Sequence, residues 1–456
     1  MSTSTVLEIP GRKSPYILDV VFEMRKKGFL GFFHDVWKQY GDLALIQIGR
    51  QSMYLAVHPD HVRHILITNR KNYEKLGSYD VVRKYLLGNG LFTSRDKLWQ
   101  RQRRLMAPFF TPRYLGNYYP VFLKDGQALI DRWEKLAGTG QEVEMSEEMM
   151  RVTAAIILRS MFGSGYEQEL VGIKEAIETM IAFTARREMY PLQAPMWLPT
   201  PKIQRYKAAR NKVNTFIKRL IDTRRQMPED QWPDDLLSKL MLARDEETGE
   251  AMSESLLRDE SVTMFVAGHE TTARTLSFMW YALDQNPNVT ARLHDELDSV
   301  LGGRLPTVED LHNLPYLLQV LKETLRLYPA APVYVRDAVG DDEINGIPIP
   351  AGSRVMLSPF LTHRHPAFWP DPERFDPDRW SPECEAKMHP TAWHPFAAGQ
   401  RICIGNNFSL MESHTLAAML AQKFAPRARP GHKLELDMVG TLTSLNGTPM
   451  YIEHRS

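Results

Sequence analysis

Apolar residues recur at helical spacing along most of the chain. The long runs cover residues 115–136, 146–163, 167–187 and 203–226, and such spacing gathers apolar side chains on one helix face. Pro191, Pro195, Pro199 and Pro201 part the third run from the fourth, since proline interrupts the helical ladder. Met189, Met196 and Trp197 make that break an apolar flap, either a lid or a plain turn. Ser253–Gln285 predicts one long helix, with Val262, Met264, Phe265 and Val266 apolar. Pro315–Tyr328 predicts another, with Leu317, Leu318, Val320, Leu321 and Leu325. Shorter helices are expected over Gly31–Tyr40 and Pro59–Thr68. Alternating patterns at 43–49 and 52–57 predict a hairpin turning at Arg50-Gln51, and Leu434–His454 predicts strands turning at Asn446-Gly447. Residues 76–97 are loop-rich. The polar, charged residues 227–252 predict a mobile surface connection.

Composition changes this picture little. Of 456 residues, 43% are hydrophobic and 24% charged, as in ordinary soluble globular proteins. The net charge of +1 argues against a general nucleic-acid surface, which needs an excess of positive charge. The cysteines are Cys384 and Cys403. They exclude a disulfide framework, CxxC zinc spacing and a four-thiolate iron–sulfur cluster, and they fit a reducing compartment. No apolar run approaches the roughly 18 residues that span a membrane. Residues 1–15 lack a signal-peptide core, and Ile17–Phe22 is short and carries Asp19. A cytoplasmic protein is expected, with no membrane span and no nucleic-acid partner.

The chemistry concentrates in residues 394–405, His-Pro-Phe-Ala-Ala-Gly-Gln-Arg-Ile-Cys-Ile-Gly. Gly399 and Gly405 bracket Cys403, which suggests a tight turn or a close approach of backbone to something bulky. A helical run follows, so the thiol feeds a helix N-terminus. Backbone N–H groups and the helix dipole favour a thiolate there, and Arg401 adds positive charge. The thiol is therefore expected to titrate below the usual value of about 8.5. An apolar, glycine-cradled thiolate suits an axial ligand of haem iron.

Phe396, Gly399, Arg401, Cys403 and Gly405 complete the pattern Phe-x-x-Gly-x-Arg-x-Cys-x-Gly. This stretch resembles the haem-binding loop of the cytochrome P-450 monooxygenases. It departs only at Ala397, where that family often has Gly or Ser. The resemblance implies that Cys403 ligates the iron of haem b, that Phe396 packs beside it, that Arg401 lies near a propionate, and that Gly405 belongs to the cofactor loop.

Other motifs follow in the family's order. The long helix carries Ala267-Gly268-His269-Glu270-Thr271-Thr272 at its centre. Glycine and threonine are poor helix formers, so a local opening of the ladder is expected. A buried carboxylate needs a partner, and Glu270 could pair with a neighbouring arginine while Thr271 bonds back to a carbonyl. By resemblance, Thr271 hydrogen-bonds dioxygen and water, Glu270 delivers protons, and Ala267 borders the haem. His269 has no role. Trp99 and Arg103 are four residues apart and share a helix face; the resemblance brings both to a propionate. That leaves Arg101, Arg104 and Lys97 as an outer basic patch for an acidic redox partner. Arg336 is implied as a further propionate partner, whereas a lone His363 is more often structural. Glu323 and Arg326, three apart, can pair. With Arg374 they are implied to form a buried network that shapes the cysteine loop.

The expected fold is mainly α, of the cytochrome P-450 type, with about a dozen helices and a small β-rich lobe. One domain covers 1–456: a β-rich lobe at about 40–75 with strands from 434–454, and a helical lobe at about 95–425. The implied function is insertion of one atom of dioxygen into a hydrophobic substrate by hydroxylation or epoxidation. Electrons would come from a separate ferredoxin or flavodoxin with its NAD(P)H-dependent reductase. Leu86, Leu87, Phe92, Met180, Phe183, Ala331, Val333 and Leu445 are the candidate pocket, with 442–445 on a turn that dips into it. Their apolar character suggests a fatty acid, terpenoid or steroid-like molecule, tilted toward long-chain or terpenoid. Two alternatives stay open. One is a peroxide-driven or isomerising member of the fold, which would usually lack the Glu270–Thr271 pair. The other is a non-catalytic haem-binding sensor.

Overall fold

In the computed structural model residues 9–48, 51–189 and 193–455 are described. Helices longer than six residues are numbered here α1 (Ile17–Tyr40), α2 (Asp96–Met106), α3 (Tyr119–Trp133), α4 (Met145–Phe162), α5 (Glu167–Met189), α6 (Pro201–Arg225), α7 (Leu236–Leu242), α8 (Glu254–Gln285), α9 (Pro287–Val300), α10 (Pro315–Leu327) and α11 (Asn406–Ala421). The strands are β1 (Gly11–Ser14), β2 (Leu43–Ile48), β3 (Gln51–Ala56), β4 (Tyr73–Glu74), β5 (Glu142–Glu144), β6 (Tyr334–Ala338), β7 (Asp342–Ile344), β8 (Ile347–Ile349), β9 (Arg354–Leu357), β10 (Arg427–Ala428), β11 (Leu436–Val439), β12 (Thr441–Ser444) and β13 (Pro449–Tyr451). The mainly α architecture with small sheets is the expected one.

The main sheet runs β1-β2-β3-β9-β6-β4. Alternation along β2 and β3 works on both faces. Leu43, Leu45, Tyr54 and Ala56 pack with Val355 and Leu357 on one side. Ala44, Ile46 and Leu55 pack against Phe32, Phe33 and Trp37 of α1 on the other. The hairpin register Leu43↔Ala56 agrees with the sequence pattern; its expected turn at Arg50 lies outside the described residues, as does Pro191 of the flap.

The helical lobe is built on α8. Adding a Cβ at Gly268 would bring it 3.0 Å from the Ile157 side chain, so glycine lets α4 and α8 approach closely. The Thr153 hydroxyl donates across that seam to the His269 carbonyl at 2.9 Å. At α8's other contact, the Thr272 and Ser409 hydroxyls meet at 3.0 Å. This fixes α8 against α11, the helix that the cysteine loop feeds.

Four local expectations need correction. The N-terminal helix begins at Ile17 rather than Gly31 and bends at Gly28, where φ is 74°. After the bend the Asp437 carboxylate accepts from the Phe29 and Leu30 N–H groups at 2.9 and 3.2 Å, a cap supplied from the far end of the chain. Residues 227–252 are no loose connection. They contain α7, whose Leu236, Leu237, Leu240 and Met241 are buried, and Asp235 caps it through the Ser238 N–H at 2.9 Å. The C-terminal hairpin β11–β12 turns at Gly440, with φ 84°. The Asn446-Gly447 turn instead hands the chain to β13 in a separate sheet, β10-β13-β5. Finally, α8 runs unbroken through residues 267–272. Among the described residues no helix is long and apolar enough to cross a membrane.

Candidate active site

The cysteine loop is held by backbone geometry that side-chain choice permits. Gly399 has φ 68°, and a Cβ there would fall 2.1 Å from the Leu66 carbonyl oxygen, so only glycine fits. Ala397, also left-handed at φ 60°, makes the preceding bend. The Cys403 N–H then donates to the Phe396 carbonyl at 2.9 Å, closing the loop before Gly405 leads into α11. A Cβ at Gly405 would lie 4.0 Å from Cys403 Sγ.

Cys403 has accessible surface, yet burial raises its thiol pKa above the ordinary value. The residue thus keeps accessible surface while protein surrounds the sulfur closely enough to disfavour its charge. The Gly405 N–H, Arg103 and Lys75 oppose the shift but do not reverse it. This corrects the expected lowering, and it corrects the source of positive charge as well. Arg401 turns away from the sulfur: it pairs with Glu74 at 3.0 Å, donates to the Ser94 carbonyl at 2.9 Å and stacks on Trp99, 4.1 Å from the ring centroid. A metal cation at the sulfur would offset that burial and favour the thiolate.

The residues around it hold buried positive charge in excess. Arg336 is 3% exposed; it donates to the Val335 carbonyl at 2.8 Å and pairs with no carboxylate among the described residues. Lys75 is 8% exposed, donates to the Phe92 carbonyl at 2.9 Å and lies over the Phe92 ring. Burial, with Arg336 and Arg401 nearby, drives its pKa well below the usual lysine value. Three buried basic groups therefore share one carboxylate, Glu74. Such a cluster is unfavourable unless anions join it, and the two propionates of haem would supply them. Trp99 and Arg103 do share a face: Trp99 carries Arg401, and Arg103 donates to the Ile402 carbonyl at 3.0 Å. The residues present fit a haem with a thiolate ligand. Lys75 escaped the sequence reading because one lysine in a loop carries no local signal.

On α8, Ala267 is exposed between the half-buried Val266 and Gly268. The Thr271 hydroxyl donates to the Ala267 carbonyl at 2.7 Å. That bond satisfies the hydroxyl within an unbroken helix. Glu270 accepts from the Thr441 hydroxyl at 2.7 Å and lies 3.6 Å from Arg274. His269 stacks on Phe265 and bonds its carbonyl through Nδ1 at 2.8 Å, a packed core residue.

Beneath the loop, Glu323 and Arg326 are fully buried and joined by two bonds of 2.8 Å. Arg326 also donates to the carbonyls of His363, Pro372 and Arg374. The expected third side chain is not Arg374, which points outward at 64% exposure and pairs with Asp376. Arg374 contributes its carbonyl only. Glu323 is completed by the Trp380 indole N–H at 3.1 Å, the Asp376 N–H at 2.8 Å and Arg379 at 3.5 Å. His363 bridges the network to the cysteine loop: its Nε2 accepts from the His394 N–H at 2.9 Å.

The candidate pocket is brought together in part. Leu87 and Met180 are buried, and Leu86 and Phe183 half-buried; Phe183 stacks on Tyr206 at 4.2 Å. Ala331 and Val333 are half-buried, Val333 against the α1 face of the sheet. Leu445 does not belong: it sits at the hairpin base, 59% exposed, while Leu442 is the buried member. Phe92, 41% exposed, is covered by the Lys75 ammonium 3.9 Å from its ring, so it faces the cation cluster instead. The outer basic patch is also largely consumed. Arg104 pairs with Asp245 and Glu247, each at 3.0 Å. Arg101 donates to the Glu250 and Ala251 carbonyls. Lys97 stays exposed.

Comparison with known proteins agrees with this geometry. The Cytochrome P450 family model matches residues 10–451. Cyclooctat-9-en-7-ol 5-monooxygenase of Streptomyces melanosporofaciens is 35% identical over 396 residues, covering 87% of this chain and 84% of the relative. Pentalenene oxygenase of Streptomyces avermitilis is 32% identical, covering 84% of each. Among solved structures, a mutant haem domain of cytochrome P450DA superposes with TM-score 0.88 at 28% identity, covering 99% of this chain and 98% of that one.

Proposed function

The chain belongs to the cytochrome P450 family, and we propose that it is a monooxygenase of a cyclic terpenoid, working as one domain in the cytoplasm. The observation that carries the haem chemistry is Cys403 together with the buried basic groups Lys75, Arg336 and Arg401, which share one carboxylate, Glu74. When bound, haem b supplies the activation of dioxygen that the side chains cannot. The net reaction takes RH, dioxygen, two electrons and two protons to ROH and water.

The chain's own residues do the rest. Cys403 would hold the haem iron as a thiolate, the ligand type that favours O–O cleavage. Lys75, Arg336 and Arg401, with Trp99 and Arg103, would hold the propionates. Thr271, freed from the Ala267 carbonyl, donates toward dioxygen, and Glu270 beside it moves protons. Leu86, Leu87, Met180 and Phe183, with Ala331, exclude water and hold an apolar substrate. The terpenoid class is supported by the apolar lining and by the relatives named for cyclooctatenol and pentalenene. Electrons come from a separate ferredoxin or flavodoxin with its NAD(P)H-dependent reductase; since Arg101 and Arg104 are engaged, Lys97 is the basic residue left open on α2.

The test is a panel of cyclic terpenoid hydrocarbons and alcohols beside long-chain fatty acids, with a surrogate ferredoxin and reductase. Oxygenated terpenoid products with little turnover of the fatty acids are expected. Turnover confined to fatty acids would overturn the substrate class.

A further inference from the structure

Glu270 is held from outside its own helix. Its Oε1 accepts from the Thr441 hydroxyl, 171 positions away in sequence, at 2.7 Å; Arg274 stands 3.6 Å off. Thr441 is the first residue of β12, directly after the Gly440 turn, so the contact is made by the tip of a two-stranded hairpin. That hairpin belongs to no larger sheet. Two further contacts position it. The Leu442 N–H donates to the Ala330 carbonyl at 3.0 Å, which ties the tip to the segment entering Ala331 and Val333. The Asp437 carboxylate caps the second half of α1.

We propose that Thr441 is a positioning residue for Glu270, and that the β11–β12 hairpin makes release of this acid depend on what fills the apolar pocket. A ligand against Ala331 moves the strip to which Leu442 is tied. Leu442 is itself buried against Leu30, Phe278 and Tyr328, so a shift of this packed strip is passed to the tip, and the Thr441–Glu270 bond is the one that opens. A carboxylate bonded to a neutral hydroxyl and partly offset by Arg274 is held firmly enough to stay put in the empty protein, yet one hydrogen bond is weak enough for ligand binding to break. With the pocket empty, the acid stays on the hairpin side and proton delivery beside Thr271 is withheld. This rests on the reading of Glu270 as the proton-moving acid.

Two measurements on substrate-free holoenzyme test it. The first is amide hydrogen exchange over residues 436–444 in wild type, Thr441→Val, Thr441→Ser and Glu270→Ala. Loss of a hydrogen bond to a charged acceptor predicts exchange about ten-fold faster in Thr441→Val and Glu270→Ala, and near-wild-type exchange in Thr441→Ser. The second is stopped-flow reoxidation of dithionite-reduced protein by dioxygen, in water and in heavy water. Each reduced centre gives one electron, and one proton accompanies it, so dioxygen leaves as hydroperoxyl. Thr441→Val is expected to reoxidise several-fold faster with a larger solvent isotope effect, Thr441→Ser like wild type, and Thr441→Val combined with Glu270→Gln at the wild-type rate. Unchanged exchange in Thr441→Val would overturn the tether, whatever Glu270 does. Faster exchange with reoxidation unaffected by Glu270→Gln would overturn the gate by removing Glu270 from proton delivery.

Discussion

Glu323 and Arg326 form a two-bonded ion pair with neither side chain exposed, and the carboxylate is finished by Trp380 and Arg379 rather than by Arg374. A buried pair broken on one side leaves a stranded charge, worth about 3–5 kcal/mol. Glu323→Ala is therefore expected to lower stability by that amount and to yield little haem-loaded protein. Arg374→Ala removes only an exposed ion pair and should change stability by less than about 1 kcal/mol. Chemical denaturation of the two variants, with haem content measured beside it, decides which arginine belongs to the network.

Lys75 should behave oppositely in apo and loaded protein. Burial beside Arg336 and Arg401 disfavours its charge, so Lys75→Met is expected to leave the haem-free chain as stable as wild type or more so. Losing one charge-assisted bond to a propionate should weaken haem affinity about ten-fold or more. Haem titration into the apo variant checks both halves. Equal affinity in wild type and variant would remove Lys75 from the cofactor site.

Glu260 gives stability a pH dependence. Burial raises its pKa from 4.5 to about 8, against the opposing bonds from the Leu91 N–H and Gln102. The folded state thus binds a proton that the unfolded chain has released over pH 4.5 to 8. Its contribution favours folding below pH 4.5 and is lost as pH rises through 8. Glu260→Gln should flatten this slope and be relatively most stabilising above pH 8. Denaturation midpoints between pH 5.5 and 8.5 show the difference; parallel profiles would refute it.

Thr271→Ala should leave haem binding intact and divert electrons from product to hydrogen peroxide. Among the described residues the hydroxyl bonds the Ala267 carbonyl of its own helix, so no contact between elements is lost. Peroxide and product counted per NADPH consumed give the answer.

Much of this was legible in the sequence because it rests on local spacing. The long amphipathic helices, the β2–β3 hairpin, the glycine-bracketed cysteine and the pairs Trp99–Arg103 and Glu323–Arg326 are all set by residues within one or two turns of each other. The errors are long-range. Asp437 capping α1, Lys75 joining Arg336, Thr441 reaching Glu270 and Arg104 meeting Asp245 each depend on how distant segments pack. The thiol pKa was misread for the same reason: a helix N-terminus is visible in sequence, but the depth of burial that outweighs it is not. Residues 227–252 look like a linker by composition, yet four apolar side chains at helical spacing suffice to pin α7.

The most direct test of the account is the carbon monoxide difference spectrum of dithionite-reduced protein, wild type beside Cys403→Ser. A strongly red-shifted Soret band in wild type, absent from the variant, is the predicted result and establishes thiolate-ligated haem. A band typical of histidine-ligated haem in fresh wild-type protein, or no bound haem, would contradict it at its foundation.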